Sequence, residues 1–284
     1  MLNYLPFILL LVTILSLWIP SRSQLQPWKY LLIITLFVAA FTEVANSIAI
    51  ASIAILYGLI SCYKNKAFLR FKPLLWLLVF ALAFILELHL VPGFHNLLLM
   101  DKVKITPDAM PFTLYLNFDK TIAGLLIVGI TLNRLDSVSR LAIMLKQVFF
   151  RLPVVLLIIL ILSYAFGYVK FEPKLAPQLW IWMISNLFFT CIAEEGLFRG
   201  FFQEYLSLFK YKCAEYVAIL IPALFFGAIH FPGGIKYVVL ATVAGCLYGW
   251  VYKVTRRIEA SMLTHFTLNL THILFFTYPA LVQR

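Results

Sequence analysis

Residues 152–168 read LPVVLLIILILSYAFGY, seventeen consecutive residues without a charged side chain. As a helix rising about 1.5 Å per residue, this run comes close to spanning the roughly 30 Å hydrocarbon core of a bilayer. Over the 284 residues, 63% are hydrophobic and 12% are charged, whereas soluble domains are about 45–50% apolar and about 25% charged. The composition therefore predicts a polytopic membrane protein and excludes the soluble fold classes.

Similar apolar runs follow one another along the whole chain. The stretch 29–63 would be about 50 Å long as a helix, too long for one crossing, so we divide it at Glu43–Asn46. Because the apolar residues come in runs and not in alternation, a membrane β-barrel is excluded. The prediction is an all-α transmembrane bundle of eight to ten spanning helices, at 4–19, 29–42, 46–63, 73–91, 119–132, 152–168, 178–198, 214–229, 237–252 and 260–276.

The net charge of +11 is concentrated in short loops between the apolar runs. The basic loops 64–72 and 133–151 are predicted to be cytoplasmic, and the balanced loop 92–117 external. Loop charge of this kind anchors helices in a bilayer, so we expect a lipid bilayer and no nucleic acid as partner. The four cysteines are far apart and form no CxxC motif, which argues against a zinc cluster or a disulfide framework: Cys62, Cys191, Cys213 and Cys246.

Two adjacent carboxylates directly follow the apolar run 178–193. An ionisable side chain inside a membrane helix costs about 2.5–3.5 kcal/mol on insertion scales and therefore marks a candidate functional site. Glu195 and Arg199 are four residues apart and face each other on a helix. We expect them to form an ion pair that leaves Glu194 free to face a polar cavity. The alternative is an ordinary charged helix end at the membrane surface.

Histidines are concentrated in the last 55 residues. His230 ends an apolar run just before a Pro-Gly-Gly turn, and His265, Asn269 and His272 share one stripe of a helix. A helix-capping role for His230 and a role in interhelical hydrogen bonding for the stripe remain open, the latter suiting His272 best. Helical rise places Glu194 about 24 Å from the start of its helix and Asn269 about 15 Å from Glu259, so Glu194, His265 and Asn269 can meet near mid-membrane. His230 joins them only if its helix is short or tilted, or if the site opens on its side.

A carboxylate, two imidazoles and a carboxamide can together support hydrolysis. Glu194 would act as general base toward water. The imidazoles of His230 and His265 would position the water or hold a zinc ion. Asn269 and one imidazole would donate to the oxyanion of a tetrahedral intermediate.

The three motifs, in this order and on successive helices, resemble the CAAX prenyl protease and bacteriocin-processing (Abi, CPBP) family of intramembrane peptidases. That family's pattern is EExxxR, then FxxxH, then HxxxN or HxxxD. Here it corresponds to Glu194-Glu195…Arg199, Phe226…His230 and His265…Asn269. The resemblance covers residues 178–276, which we take as the catalytic core of a single membrane domain, 1–284. The helices of 1–177 match only as hydrophobic segments.

The resemblance implies an endopeptidase that cuts peptides or membrane-anchored proteins in or near the membrane. It makes Glu194, His230, His265 and Asn269 the catalytic set, with Glu195 and Arg199 as the supporting pair. If the enzyme is a zinc metalloprotease, Glu194, His230 and His265 would be the ligands. We favour a metal-independent mechanism, because the amide of Asn269 suits an oxyanion donor better than a second-shell acceptor for a zinc ligand.

Two other functions compete with proteolysis. One is a non-catalytic membrane scaffold or bacteriocin immunity protein of the same fold. The other is a proton-coupled transporter, which would be built of broken helices in matched halves; the sequence contains no such repeat. The expected location is the bacterial cytoplasmic (inner) membrane. Loop charges and the resemblance disagree on the side to which the site opens, so sidedness stays open.

Overall fold

The computed structural model describes residues 2–19, 26–176, 178–210 and 212–282. Within these ranges the chain forms ten helices and one two-stranded sheet, counting the continuous helix Leu179–Leu206 once. The elements are α1 Leu5–Leu15, α2 Pro27–Phe41, α3 Ser47–Lys64, α4 Lys72–Glu87, β1 Leu97–Val103, β2 Phe112–Leu116, α5 Phe118–Thr131, α6 Val138–Ala165, α7 Leu179–Leu206, α8 Ala214–Ile229, α9 Ile235–Thr255 and α10 Ile258–Phe275.

Among the described residues, five helices are long and apolar enough to cross a membrane. They are Ser47–Lys64, Lys66–Glu87, Val138–Ala165, Leu179–Leu206 and Ile235–Thr255. Shorter apolar helices occur at Leu5–Trp18, Pro27–Phe41 and Ala214–Ile229. The predicted all-α membrane bundle is confirmed, whereas the number of eight to ten crossings stays a prediction.

The apolar stretch 29–63 is divided where the sequence predicts. α2 ends at Phe41 and α3 begins at Ser47. The side chain of Asn46 accepts hydrogen bonds from the amides of Ile48 and Ala49 at 3.0 and 3.1 Å. Asparagine is a favoured N-cap because its side-chain oxygen satisfies amides that lack a partner in the first turn. The loop 92–117, in contrast, contains the strands β1 and β2, which the sequence analysis did not predict.

The chain divides into two compact units. Unit one comprises Met1–Leu97, Leu116–Ser137 and Phe188–Phe201. Its helix α5 is almost completely enclosed, since every residue from Phe118 to Gly129 is buried. Because α5 is surrounded by protein, it does not need the length of a lipid-facing span. The short predicted span 119–132 is thus the core helix of this unit.

Within unit one, α5 and α7 approach almost to backbone contact. A Cβ atom added at Gly124 would lie 2.6 Å from Cα of Ala193 and 2.7 Å from the carbonyl oxygen of Ile192. The hydroxyl of Thr121 donates to the carbonyl oxygen of Phe189 at 3.0 Å. Only glycine permits this approach, which resembles the small-residue packing of membrane helices. The contact places the first turn of α5 beside the carboxylates of α7.

Unit two comprises Leu98–Tyr115, Val138–Leu187 and Phe202–Arg284. On α6, the side chains of Leu157 and Ile161 are more than half exposed, as expected for a helix that faces lipid. α8 ends at His230, and α9 begins after Gly234, whose φ of 85° lies in the left-handed region that favours glycine. The predicted Pro-Gly-Gly turn therefore brings the chain from the end of α8 into α9.

Candidate active site

The paired glutamates lie in an irregular part of α7. The short α-helical segment Ile192–Glu195 is flanked by π-helical turns at Asn186–Cys191 and Gly196–Gln203. π-Helical turns are rare and occur preferentially at functional sites, because they redirect side chains within a helix. The helix geometry itself therefore singles out the segment that carries Glu194 and Glu195.

Glu195 and Arg199 form the ion pair that their spacing predicts. Arg199 Nη1 donates to Glu195 Oε1 at 3.2 Å, and the two side chains are 1% and 0% exposed. A charge this deeply buried is tolerated when it is paired and hydrogen-bonded. The pair therefore compensates two charges that are buried within α7 next to Glu194.

Glu194 is not free, contrary to the prediction. Its Oε1 accepts a hydrogen bond at 2.9 Å from Nζ of Lys120, and the same ammonium donates to Oε1 of Glu87 at 2.9 Å. All three side chains are buried. Lys120 lies one helical turn before Gly124, where α5 touches α7, and this register brings the ammonium to Glu194.

The start of α5 is fixed by a second polar cluster in unit one. The buried carboxylate of Asp119 accepts a hydrogen bond from Nδ1 of His89 at 2.7 Å and is also bonded by the amide nitrogen of Asn96. The side-chain oxygen of Asn96 in turn accepts the backbone amide of Phe118 at 2.7 Å. These contacts hold the first turn of α5 in place, and with it Lys120.

In unit two, His230 and His265 both contact the ring of Phe226. The ring centroids are 4.7 Å apart for His230 and 5.8 Å apart for His265. Nδ1 of His230 donates to the carbonyl oxygen of Phe226 at 2.6 Å. In the neutral tautomer that this bond selects, Nε2 carries the lone pair that can accept a proton. The FxxxH and HxxxN motifs thus share one aromatic cluster.

Two tyrosines of α9 complete this cluster. Tyr248 stacks on His265 at 4.6 Å and 19°, and Tyr237 meets His230 edge-on at 4.9 Å. Neither tyrosine was predicted from the sequence. Their separation of eleven residues, close to three helical turns, places them on one face of α9 and was the signal available in the sequence.

Asn269 and His272 have different partners. Nδ2 of Asn269 donates to Oδ1 of Asn186 at 3.4 Å, a long hydrogen bond. His272 Nε2 donates to the carbonyl oxygen of Thr277 at 3.0 Å and its ring packs on Tyr278. His272 therefore bonds the end of α10 to the segment that follows it. Asn186 is a neighbour of Asn269 that was not predicted from the sequence.

The resemblance to CAAX proteases raises the question of a metal site. Among the residues that the structure describes, no three His, Cys, Asp or Glu side chains are grouped so as to hold a metal ion. The zinc ligands implied by the resemblance, Glu194, His230 and His265, stay a prediction.

Part of the chain matches the model of a known protein family. Residues 176–271 match the model of the family described as Rce1-like, type II CAAX prenyl endopeptidase Rce1-like. No curated protein and no solved structure matches the chain. The matched segment contains all three motifs, and the apolar helices make the chain an integral membrane protein. Over residues 176–271, the chain is similar to the Rce1-like family of type II CAAX prenyl endopeptidases.

Proposed function

We propose that this protein is an intramembrane endopeptidase in which Glu194 activates the water that attacks the peptide bond. The observation that carries the proposal is a carboxylate buried in an apolar helix and held there by an ammonium ion. Burying such a group is costly, and ionisable residues in membrane helices are retained mainly for function. The proposed catalytic set is completed by His230, His265 and Asn269, which lie in the FxxxH and HxxxN motifs within the matched range.

In the proposed reaction, Glu194 takes a proton from water while the water oxygen bonds to the scissile carbonyl carbon. Nε2 of His230 orients the water, since its Nδ1 is already committed to the Phe226 carbonyl oxygen. The amide of Asn269 and the imidazole of His265 donate to the oxyanion. The carbon–nitrogen bond then breaks, and Glu194 returns the proton to the leaving amine.

Glu195 and Arg199 have a supporting role in this proposal. Their ion pair is almost completely buried one turn from Glu194. Neither side chain is needed to transfer a proton in the proposed reaction. Their pairing instead neutralises two charges beside Glu194, so that this segment of α7 can stay buried.

The proposed substrate is a peptide or a protein held at the membrane by its own anchor. A CAAX-type endopeptidase with its carboxylate inside an apolar helix has most direct access to bonds at or below the membrane surface. The proposed mechanism is metal-independent, and the proposed location is the bacterial cytoplasmic membrane.

A cleavage assay in liposomes tests the proposal. The purified protein is incubated with a library of membrane-anchored peptides, and the products are identified by mass spectrometry. We expect one cut close to the anchor. Cleavage should be lost in His230→Ala and His265→Ala and retained in His95→Ala, a change at an exposed histidine. Failure of the wild-type protein to cut any anchored peptide would contradict the proposal.

A further inference from the structure

A residue outside the matched segment contacts the carboxylate at the centre of the proposed mechanism, and a second one contacts that residue. Lys120 on α5 donates to Glu194 at 2.9 Å, and Glu87, at the end of α4, accepts from the same nitrogen at 2.9 Å. The Lys120 side chain is 9% exposed and those of Glu87 and Glu194 are 3% and 6% exposed. The family motifs assign no role to Lys120 or Glu87, since both precede residue 176.

We infer that Lys120 is a positioning residue for Glu194, and that Glu87 holds Lys120 in place for this task. The inference rests on the proposed function of Glu194 as general base. Lys120 does not touch the reacting atoms in this account. It acts by fixing one oxygen of the carboxylate, so that the geometry of proton transfer is set before substrate binds.

The side-chain chemistry supports this role. A lysine ammonium is a point charge on a flexible stem with three donors, so a single carboxylate does not fix its position. The second carboxylate, from a different helix, removes that freedom. A hydrogen bond between charged groups is also stronger than one between neutral groups, particularly where water is excluded.

The backbone supports the same role. Gly124, one turn after Lys120, allows α5 to approach Ala193 of α7, the residue directly before Glu194. Asp119, directly before Lys120, is held by His89 and Asn96. Both flanks of Lys120 are therefore anchored independently of its own ion pairs, and the ammonium is presented to Glu194 by a rigid support.

The competing explanation is that Lys120 only neutralises the buried charge of Glu87. A double variant separates the two explanations. In Glu87→Gln/Lys120→Met, the carboxylate at position 87 is removed together with its cationic partner. If Lys120 serves only to neutralise Glu87, the double variant therefore contains no uncompensated charge at position 87 and should be active. If Lys120 positions Glu194, that contact is still absent from the double variant, and its kcat should stay low.

The experiment measures kcat and KM for cleavage of an anchored peptide, together with thermal stability, for Lys120→Met and for the double variant. We expect the double variant to regain stability relative to Lys120→Met while its kcat stays roughly 10- to 100-fold below wild type. Its KM should remain within about threefold of wild type, because Lys120 makes no contact with substrate in this account. Thr121→Val is the matched control. It removes a buried hydrogen bond between α5 and α7 without touching the carboxylates, and should lower stability but not kcat.

Each outcome decides the inference. A kcat of the double variant within about threefold of wild type would overturn it, because the ammonium would then serve only Glu87. A fall in kcat of the same size in Thr121→Val would also overturn it, since general loosening of α5 would suffice. Glu194→Gln is assayed in parallel. Full activity there overturns the proposed function and this role together, whereas loss of activity there with a wild-type kcat in the double variant overturns the inference alone.

Discussion

Replacing Arg199 with alanine should destabilise the protein strongly. The Arg199 and Glu195 side chains are 1% and 0% exposed and share a hydrogen bond of 3.2 Å. The Arg199→Ala variant keeps the Glu195 carboxylate in the core but removes the guanidinium that compensates its charge. Removing one partner of a buried ion pair costs about 3–5 kcal/mol, more than the net contribution of the intact pair.

The magnitude converts into a measurable shift in melting temperature. For chains of this size, 1 kcal/mol corresponds to about 2–4 °C, so the loss in Arg199→Ala should be roughly 6–20 °C. The exposed arginine Arg70 provides the control. Arg70→Ala should change the free energy of unfolding by no more than about 0.5 kcal/mol.

Thermal unfolding of the detergent-solubilised variants is the assay, with cleavage of an anchored peptide measured on the protein that remains folded. The double variant Glu195→Gln/Arg199→Met removes both charges. It should be less destabilised than the sum of the single changes, with a coupling energy of about 0.5–3 kcal/mol. A melting temperature of Arg199→Ala equal to that of Arg70→Ala, or strictly additive single changes, would refute the structural role of the ion pair.

Three further outcomes follow from the same geometry. Gly124→Ala should lower the free energy of unfolding by about 1–3 kcal/mol, because its Cβ would lie 2.6 Å from Ala193 Cα. Gly58→Ala, with open space around its Cβ, is the control. Equal melting curves of the two variants would contradict the close approach of α5 and α7. Asn269→Ala should lower kcat about 10²- to 10³-fold at nearly unchanged stability if the amide donates to the oxyanion; an unchanged kcat would remove that role. Exhaustive chelation should leave cleavage intact, whereas stoichiometric zinc that disappears in His265→Ala would restore the metalloprotease mechanism.

Features that depend on neighbours in the sequence were predictable. The division of 29–63 follows from Asn46, whose side chain caps α3 within three residues. The contact between Glu195 and Arg199 follows from one helical turn. Such features need only helix geometry, which is the same in every helix.

Features that depend on distant partners were not predictable. Lys120 reads as the polar edge of a short apolar run, yet its partners Glu87 and Glu194 are 33 and 74 residues away. The partner of Asn269 on the earlier helix is 83 residues away. Nothing in a local pattern specifies which helices face each other. The sequence therefore identified Glu194 as unusual but did not predict that its carboxylate is paired with Lys120.

The central claim is that Glu194 activates the attacking water, and one rate measurement tests it most directly. Single-turnover cleavage of an anchored peptide is measured in liposomes for wild type, Glu194→Gln and Glu43→Gln, the last being a matched change at an exposed glutamate. The Glu194→Gln protein keeps an oxygen that can accept from Lys120 but cannot take up a proton. Its rate should fall about 10²- to 10⁴-fold while Glu43→Gln stays at the wild-type rate. A folded Glu194→Gln protein that cleaves at the wild-type rate would contradict the account.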